Sequence, residues 1–237
     1  MEYTAAVITE RLEALASPEA AQFAQRFFKT GAGEYGAGDL FRGIRVPVLR
    51  KLSLTLNATP LPEVIQLLSS AWHEDRLLAL LILIRRFQRG KEVDQEGIYN
   101  LYLAHTHHIN NWDLVDISAP HIVGSFLHHR DRAPLYTLVN SCSLWERRIA
   151  ITSTIHFIRQ RDFTVTLSLS EMLFHDKEEL LHKATGWMLR EVGKRDRDVL
   201  EIFLKNHSRS MPRVMLRYSI EHFPEERRQH YLKGHFT

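Results

Sequence analysis

The chain of 237 residues holds a single cysteine, Cys142. No internal disulfide can form, which fits a reducing compartment such as the cytoplasm. Nowhere do roughly 18 uncharged apolar residues follow one another, the length a helix needs to cross a bilayer; the apolar stretch 77–84 stops at Arg85 and Arg86. Residues 1–10 lack the basic start and apolar follow-on of a secretion signal. Hairpin signals are missing as well: there is no Asn-Gly or Asp-Gly turn and no sustained polar–apolar alternation, which argues against a sheet. An excess of one charge is also absent. Lys and Arg number 31 against 28 Asp and Glu, for a net charge of +3 and a pI near 9.0. Such a balance permits a polyanionic partner without requiring one, so the arrangement of the charge has to decide.

What the sequence does have is helical periodicity throughout. The pattern predicts helices over 3–16, 18–29, 47–57, 61–71, 74–89, 92–105, 111–128, 132–140, 144–160, 164–174, 177–194, 197–206, 211–222 and 224–233. Start signals recur: Ser17-Pro18-Glu19 offers a cap and a first-turn proline, while Ser143 to Glu146 and Asp176 to Glu179 have capping-box spacing. Connections of two to six residues make successive helices antiparallel neighbours. One segment breaks the rhythm. Gly31, Gly33, Gly36, Gly38 and Gly43 fall within 30–46, too many for a regular helix. It reads as a long loop, or as an arm that orders on a ligand. It is not a nucleotide-binding phosphate loop, since no Gly-Lys-Ser/Thr follows and no strand precedes.

Arg76, Trp112, Arg148, Lys183 and Arg213 each open an apolar helical run, at separations of 36, 36, 35 and 30 residues. A period in the thirties with two helices per unit marks a HEAT-like α-solenoid. The expected fold is therefore all-α, one domain over 1–237, with stacked antiparallel helix pairs presenting a concave basic face. Equivalent positions of successive repeats line one surface, and four of these five are cationic with an aromatic among them, a track suited to a phosphate backbone. Cations oppose the macrodipole at a helix start, so their recurrence there points to a ligand. In 177–194, Lys183, Trp187, Arg190 and Lys194 share one face. Gly186 beside Trp187 either admits a ligand close to the helix or serves packing, and Trp187 reads equally as packing or as a binding residue.

The segment Asn110-Asn111-Trp112-Asp113-Leu114-Val115-Asp116 is the candidate reaction centre. Asn111 can cap a helix, and Asp113 sits in its first turn, where a carboxylate is stabilised without further reason. Asp116 lies four residues after Trp112, on the same face. It could stabilise developing positive charge or orient a water, or it could form an ordinary ion pair, for instance with Arg148. The histidines, including those at 105, 107, 108, 128 and 129, match no metal-ligand spacing and read as loop and surface residues. Cys142 reads as inert. Neither a glycosidase carboxylate pair nor a Ser-His-Asp signature occurs, and no cofactor or metal is expected.

At these residues the sequence resembles the AlkD-like DNA alkylation-repair proteins, HEAT-like-repeat DNA glycosylases. Four pieces carry the resemblance: GIRVPVLRKL at 43–52, NNWDLVD at 110–116, WERRIAI at 145–151 and KATGWMLREVGK at 183–194. They occur in the family's order and cover most of the chain, about 20 to 230. The resemblance implies hydrolytic excision of N3- and N7-alkylated purines from duplex DNA by a monomer. It makes Asp116 the catalytic carboxylate, sets Trp112 and Trp187 on the lesion-bearing nucleotide, and sets Arg148 on a nearby phosphate. Lys183, Arg190, Lys194, Arg76 and Arg213 follow as further DNA contacts. The departure is 30–46, glycine-rich where the family has a duplex-clamping helix. The alternatives are a DNA-binding module without excision and a protein–protein scaffold.

Overall fold

The eight apolar residues of 77–84 lie in a helix that is buried nearly all round, and that helix organises the first half of the chain. The structure is a computed structural model and describes residues 3–234. Among those residues no strand occurs, only an isolated bridge between Leu40 and Trp72, so the fold is all-α. Among the described residues no helix is long and apolar enough to cross a membrane. The chain divides after Ser118 into two compact units.

The first unit holds α1 (Ala5–Glu13), α2 (Pro18–Phe27), α3 (Val46–Thr55), α4 (Leu61–Leu68), α5 (His73–Arg89), α6 (Glu92–Ala104), a 3-10 turn at Thr106–His108 and α7, which runs from Trp112 to Ala119. Helix α5 packs on α3, α4 and α6. Its Leu78, Leu80, Ile82 and Leu83 are wholly buried, each contributing about 1.5–3 kcal/mol of transfer free energy. Helix α2 is the opposite case, for it buries no residue at all. It forms because Ser17 caps it, accepting from the Ala20 N–H at 3.4 Å, with Pro18 in the first turn.

The second unit holds α8 (Ala133–Val139), α9 (Leu144–Ser153), α10 (Ile155–Arg159), α11 (Thr164–Met172), α12 (Glu179–Arg195), α13 (Arg197–His207), α14 (Arg213–Ser219) and α15 (Glu225–Lys233). Helix α12 is its hub, touching α9, α10, α11, α13 and α14. Leu181, Ala184, Met188, Leu189 and Val192 form its buried stripe at helical spacing.

Two expected helices are interrupted, each for a local reason. The segment 111–128 changes at Pro120 into a π-helical turn, Pro120–Gly124. Proline has no N–H to donate four residues back, and its ring crowds that carbonyl, so the turn widens. The segment 144–160 breaks at Thr154. The hydroxyls of Thr152, Ser153 and Thr154 each bond back to the carbonyls of Arg148, Ile149 and Ile151, at 2.8, 2.6 and 2.7 Å. Three such bonds in a row bend and end a helix. Helix α12 starts at Glu179, later than expected, because Asp176 spends its carboxylate on the Glu178 N–H (2.9 Å) rather than capping α12.

Candidate functional site

The glycine-rich segment is tied down by charge. The Glu74 carboxylate, in the first turn of α5, accepts three backbone N–H groups: Arg42 at 2.9 Å, Gly43 at 2.7 Å and Ile44 at 3.1 Å. Gly43 has φ +80 and lies so close to the Ser17 carbonyl and α2 that a side chain would collide, so both conformation and space require glycine there. Arg42 is buried and grips Asp75 with Nε (2.7 Å) and Nη2 (3.1 Å), and it also bonds Glu13. The segment is a loop, as one of the two expectations had it, and it is anchored to α5 within the protein itself.

Asp39 carries that anchoring towards α7. Its carboxylate is buried and bonds Arg76 Nη2 at 2.6 Å, His73 Nδ1 at 3.2 Å, Asn111 Nδ2 at 3.3 Å and Asn110 Nδ2 at 3.4 Å. His73 uses its other nitrogen on Asp113, with 2.8 Å between Nε2 and Oδ2. An Asp39–His73–Asp113 chain thus joins the loop, α5 and the first turn of α7. Burial alone would lower the His73 pKa, but the hydrogen bonds to Asp113 and Asp39 outweigh it and raise it to about 9, so the ring is an imidazolium at neutral pH. Burial raises the Asp39 pKa, yet its bond to His73 and the charge of Arg76 bring it below the ordinary 3.8. The expectation that the histidines are loop and surface residues fails at His73, which is only 2% exposed.

Asn111 begins α7: its Oδ1 accepts from the Trp112 N–H (2.8 Å) and its carbonyl from the Val115 N–H (3.1 Å). Leu114, Val115 and Ser118 are fully buried, whereas Trp112 and Asp116 are half-buried on the other side of the helix. Trp112 stacks on Phe28 (centroids 5.2 Å apart, 25° between planes) and meets Phe27 edge-on at 5.8 Å. Asp116 lies near Tyr102, whose hydroxyl is held protonated by burial first and by the Asp116 charge in addition. Of the two α7 carboxylates, Asp113 is committed to His73.

Arg76 does not face a ligand. It is 4% exposed, with Nη1 on the Ser70 carbonyl (2.8 Å) and Nη2 on Asp39; a guanidinium in a buried helix needs such partners. The expectation of a DNA contact there is corrected to an internal anchor.

In the second unit, Arg148 is also buried, and its Nη1 donates to the Leu180 carbonyl at 2.6 Å, linking α9 to the first turn of α12. Lys183 is half-exposed and pairs with Glu179 at 2.5 Å; Lys194 is exposed and pairs with Glu191 at 2.7 Å; Arg190 pairs with Glu221. Trp187 is half-buried on the same helix. Gly186 serves packing: a Cβ there would come within 2.5 Å of the Met215 carbonyl and the Tyr218 Cβ on α14. Arg213 is exposed and donates to the Leu232 carbonyl at 2.8 Å.

The helix-start argument also changes. Of the four repeat cations, only Arg213 stands at a first helical position. Arg76, Arg148 and Lys183 lie beyond the first turn, and the first turns carry Glu74, Asp75, Glu146 and Glu179, as the dipole favours. Among the described residues, no group of three or more His, Cys, Asp or Glu is arranged to hold a metal ion.

A family model for the DNA alkylation repair enzyme matches residues 8–223, and the chain belongs to that family. A solved structure described as a predicted DNA alkylation repair enzyme from Enterococcus faecalis is similar in fold, with a TM-score of 0.68 at 18% identity over 89% of this chain and 97% of that one. No curated protein matches the chain.

Proposed function

We propose that the protein is a DNA glycosylase that hydrolyses the N-glycosidic bond of N3- or N7-alkylated purines in duplex DNA, with Asp116 as its carboxylate. The observation that carries this reading is the division of labour on α7. Leu114, Val115 and Ser118 hold the helix in the core, Asp113 bonds His73, and Trp112 and Asp116 lie half-buried on the opposite face, four residues apart.

The chemistry asks little of the protein. An N3- or N7-alkylpurine is already cationic, so the base leaves without being protonated, and one carboxylate can do what glycoside hydrolases divide between two. As the bond breaks, positive charge grows on the sugar. Asp116 stabilises it and orients the water that adds to the anomeric carbon, taking up the proton that water loses. Trp112 holds the nucleotide against the helix face. On the second unit, Trp187 contacts DNA, and Lys183, Arg190, Lys194 and Arg213 meet phosphates, exchanging their exposed carboxylate or carbonyl partners for DNA oxygens. The chain acts as a monomer.

The test is release of 7-methylguanine from methylated duplex DNA. Wild type is expected to release it, and Asp116→Asn to fall by about a hundredfold or more. Background-level release by wild type would reject the reading. A second reading, DNA binding without excision, draws on one observation: 30–45 forms turns rather than a clamping helix. It is favoured if wild type fails to excise yet binds duplex DNA with a steep salt dependence.

A further inference from the structure

Helix α2 faces outward with its aromatics uncovered: Phe23 is 69% and Phe27 54% exposed, and their rings stack at 6.3 Å and 11°. Beside them opens a cleft of about 580 Å³, bounded by α2, the segment 41–46, α5 and the start of α7. That volume lies within the ~300–1,000 Å³ typical of small-molecule sites. Phe23, Phe28 and Phe41 line it. Behind them runs a continuous ring stack, from Trp112 to Phe28 (5.2 Å), Phe28 to Phe41 (5.1 Å, 15°) and Phe41 to His73 (4.5 Å, 21°).

Of the polar side chains on the cleft wall, Ser17, His73, Glu74 and Asp113 are engaged, while Glu19 and Arg45 are exposed. Ser17 caps α2, Glu74 binds three backbone N–H groups, and His73 and Asp113 hold each other. The cleft therefore offers flat aromatic surface and little capacity to read hydrogen-bond patterns. Arg45, exposed at the mouth, supplies a cation.

We propose that this cleft takes up an unpaired nucleobase of DNA, stacked on Phe23, with Arg45 near its phosphate. The inference rests on the reading that DNA is the partner, and extends it to a site outside the Asp116 face. Stacking on an aromatic ring accepts any base, because every base has a π-face, and the engaged polar lining fits such tolerance. Exposed aromatic rings beside a cation are the elements by which single-stranded nucleic acid is held. Holding an extrahelical base here would favour DNA that is locally unpaired over a perfect duplex.

The experiment compares two fluorescein-labelled duplexes, one fully paired and one carrying a single-nucleotide bulge, by fluorescence anisotropy at fixed salt. Wild type should bind the bulged duplex about tenfold more tightly, the effect of one stacked base. Phe23→Ala should lose that preference while keeping its affinity for the paired duplex, and Phe23→Trp should retain it. Because Phe23 is mostly exposed, Phe23→Ala should unfold at the wild-type temperature. Equal binding of the two duplexes by wild type, or a preference that survives Phe23→Ala, overturns the proposal. Failure to bind either duplex rejects the DNA reading itself, and this inference with it.

Discussion

In the first unit the ions are inside. Asp39, Arg42, His73, Glu74, Asp75 and Arg76 are all at most 5% exposed, and the ion pairs among them and with Glu13 and Asp113 join residues 29 to 40 apart in sequence. In the second unit the cations of α12 sit at or near the surface, and three of them pair with acids three or four residues away on the same helix, Lys183 with Glu179, and Lys194 and Arg195 with Glu191. Distance in sequence and burial separate two uses of charge. Long-range buried pairs specify a conformation, here the path of 39–44 and the start of α7. Short-range exposed pairs are worth at most about 1 kcal/mol, so a phosphate can displace them. Arg148 is the exception in the second unit, a buried cation that bonds a backbone carbonyl and so joins two helices.

The comparison is broken most severely at Arg42. Arg42→Ala leaves Asp75 buried without its guanidinium, and removing one member of a buried pair costs about 3–5 kcal/mol. Urea unfolding should show that loss as a lower midpoint. The same measurement on Lys194→Ala should stay within about 0.5 kcal/mol of wild type. A small effect at Arg42 would mean that the loop holds without its charges.

His73 sharpens the comparison through pH. Its folded pKa of about 9 stands above the ordinary 6.5, so the folded state holds the proton more tightly. Its contribution is complete below about pH 6.5 and is lost as pH rises through about 9, a change of about 3 kcal/mol. Asp39 acts in the other direction: its lowered pKa gives stability that is present above the ordinary value and is lost as acid protonates it. Unfolding free energy measured across the alkaline range should fall in wild type and stay nearly level in His73→Gln. Tryptophan fluorescence should follow the same titration in the folded protein, because Phe28 stacks on Trp112 and also contacts the His73 ring.

A smaller effect is expected at Gly186. Alanine there would gain about 1 kcal/mol in helix propensity, yet its methyl would strike the Met215 carbonyl and the Tyr218 Cβ. Backbone yields little, and overpacking costs about 1–3 kcal/mol. Gly186→Ala should lower the unfolding midpoint, while a stabilised variant would return Gly186 to the role of a ligand-facing gap.

Local signals were legible in the sequence and long-range ones were not. The caps at Ser17 and Ser143 both accept from the third N–H onward, at 3.4 and 3.5 Å, because capping is decided within one turn. That Trp112 and Asp116 share one face of α7 followed from helical period alone. The anchoring of 30–46 could not be read that way, since Asp39 and Arg42 find their partners more than 30 residues away. One signal was available: His73 to Arg76 put four polar side chains at the head of a helix whose continuation is apolar on every side. Charges in such a helix require buried partners, and the loop with Asp39 and Arg42 could supply them. The repeat spacing falls on the starts of α7 and α14 at Trp112 and Arg213, whereas Arg76, Arg148 and Lys183 lie later in their helices because acidic first turns precede those apolar runs.

The least disruptive test lies at Lys183. Its ammonium is half in solvent and pairs with Glu179 one turn back, so Lys183→Ala removes an exposed pair and should leave the unfolding midpoint almost unchanged. If Lys183 meets a phosphate, the same substitution weakens binding to all duplex sequences alike and lowers the slope of log affinity against log salt by about one. Arg76→Ala supplies the contrast, with stability lost as the buried Asp39 loses its guanidinium partner and the salt slope kept. If Lys183→Ala left the slope unchanged, its pairing with Glu179 would be the whole of its role, and the surface ions of α12 would not belong to the DNA face.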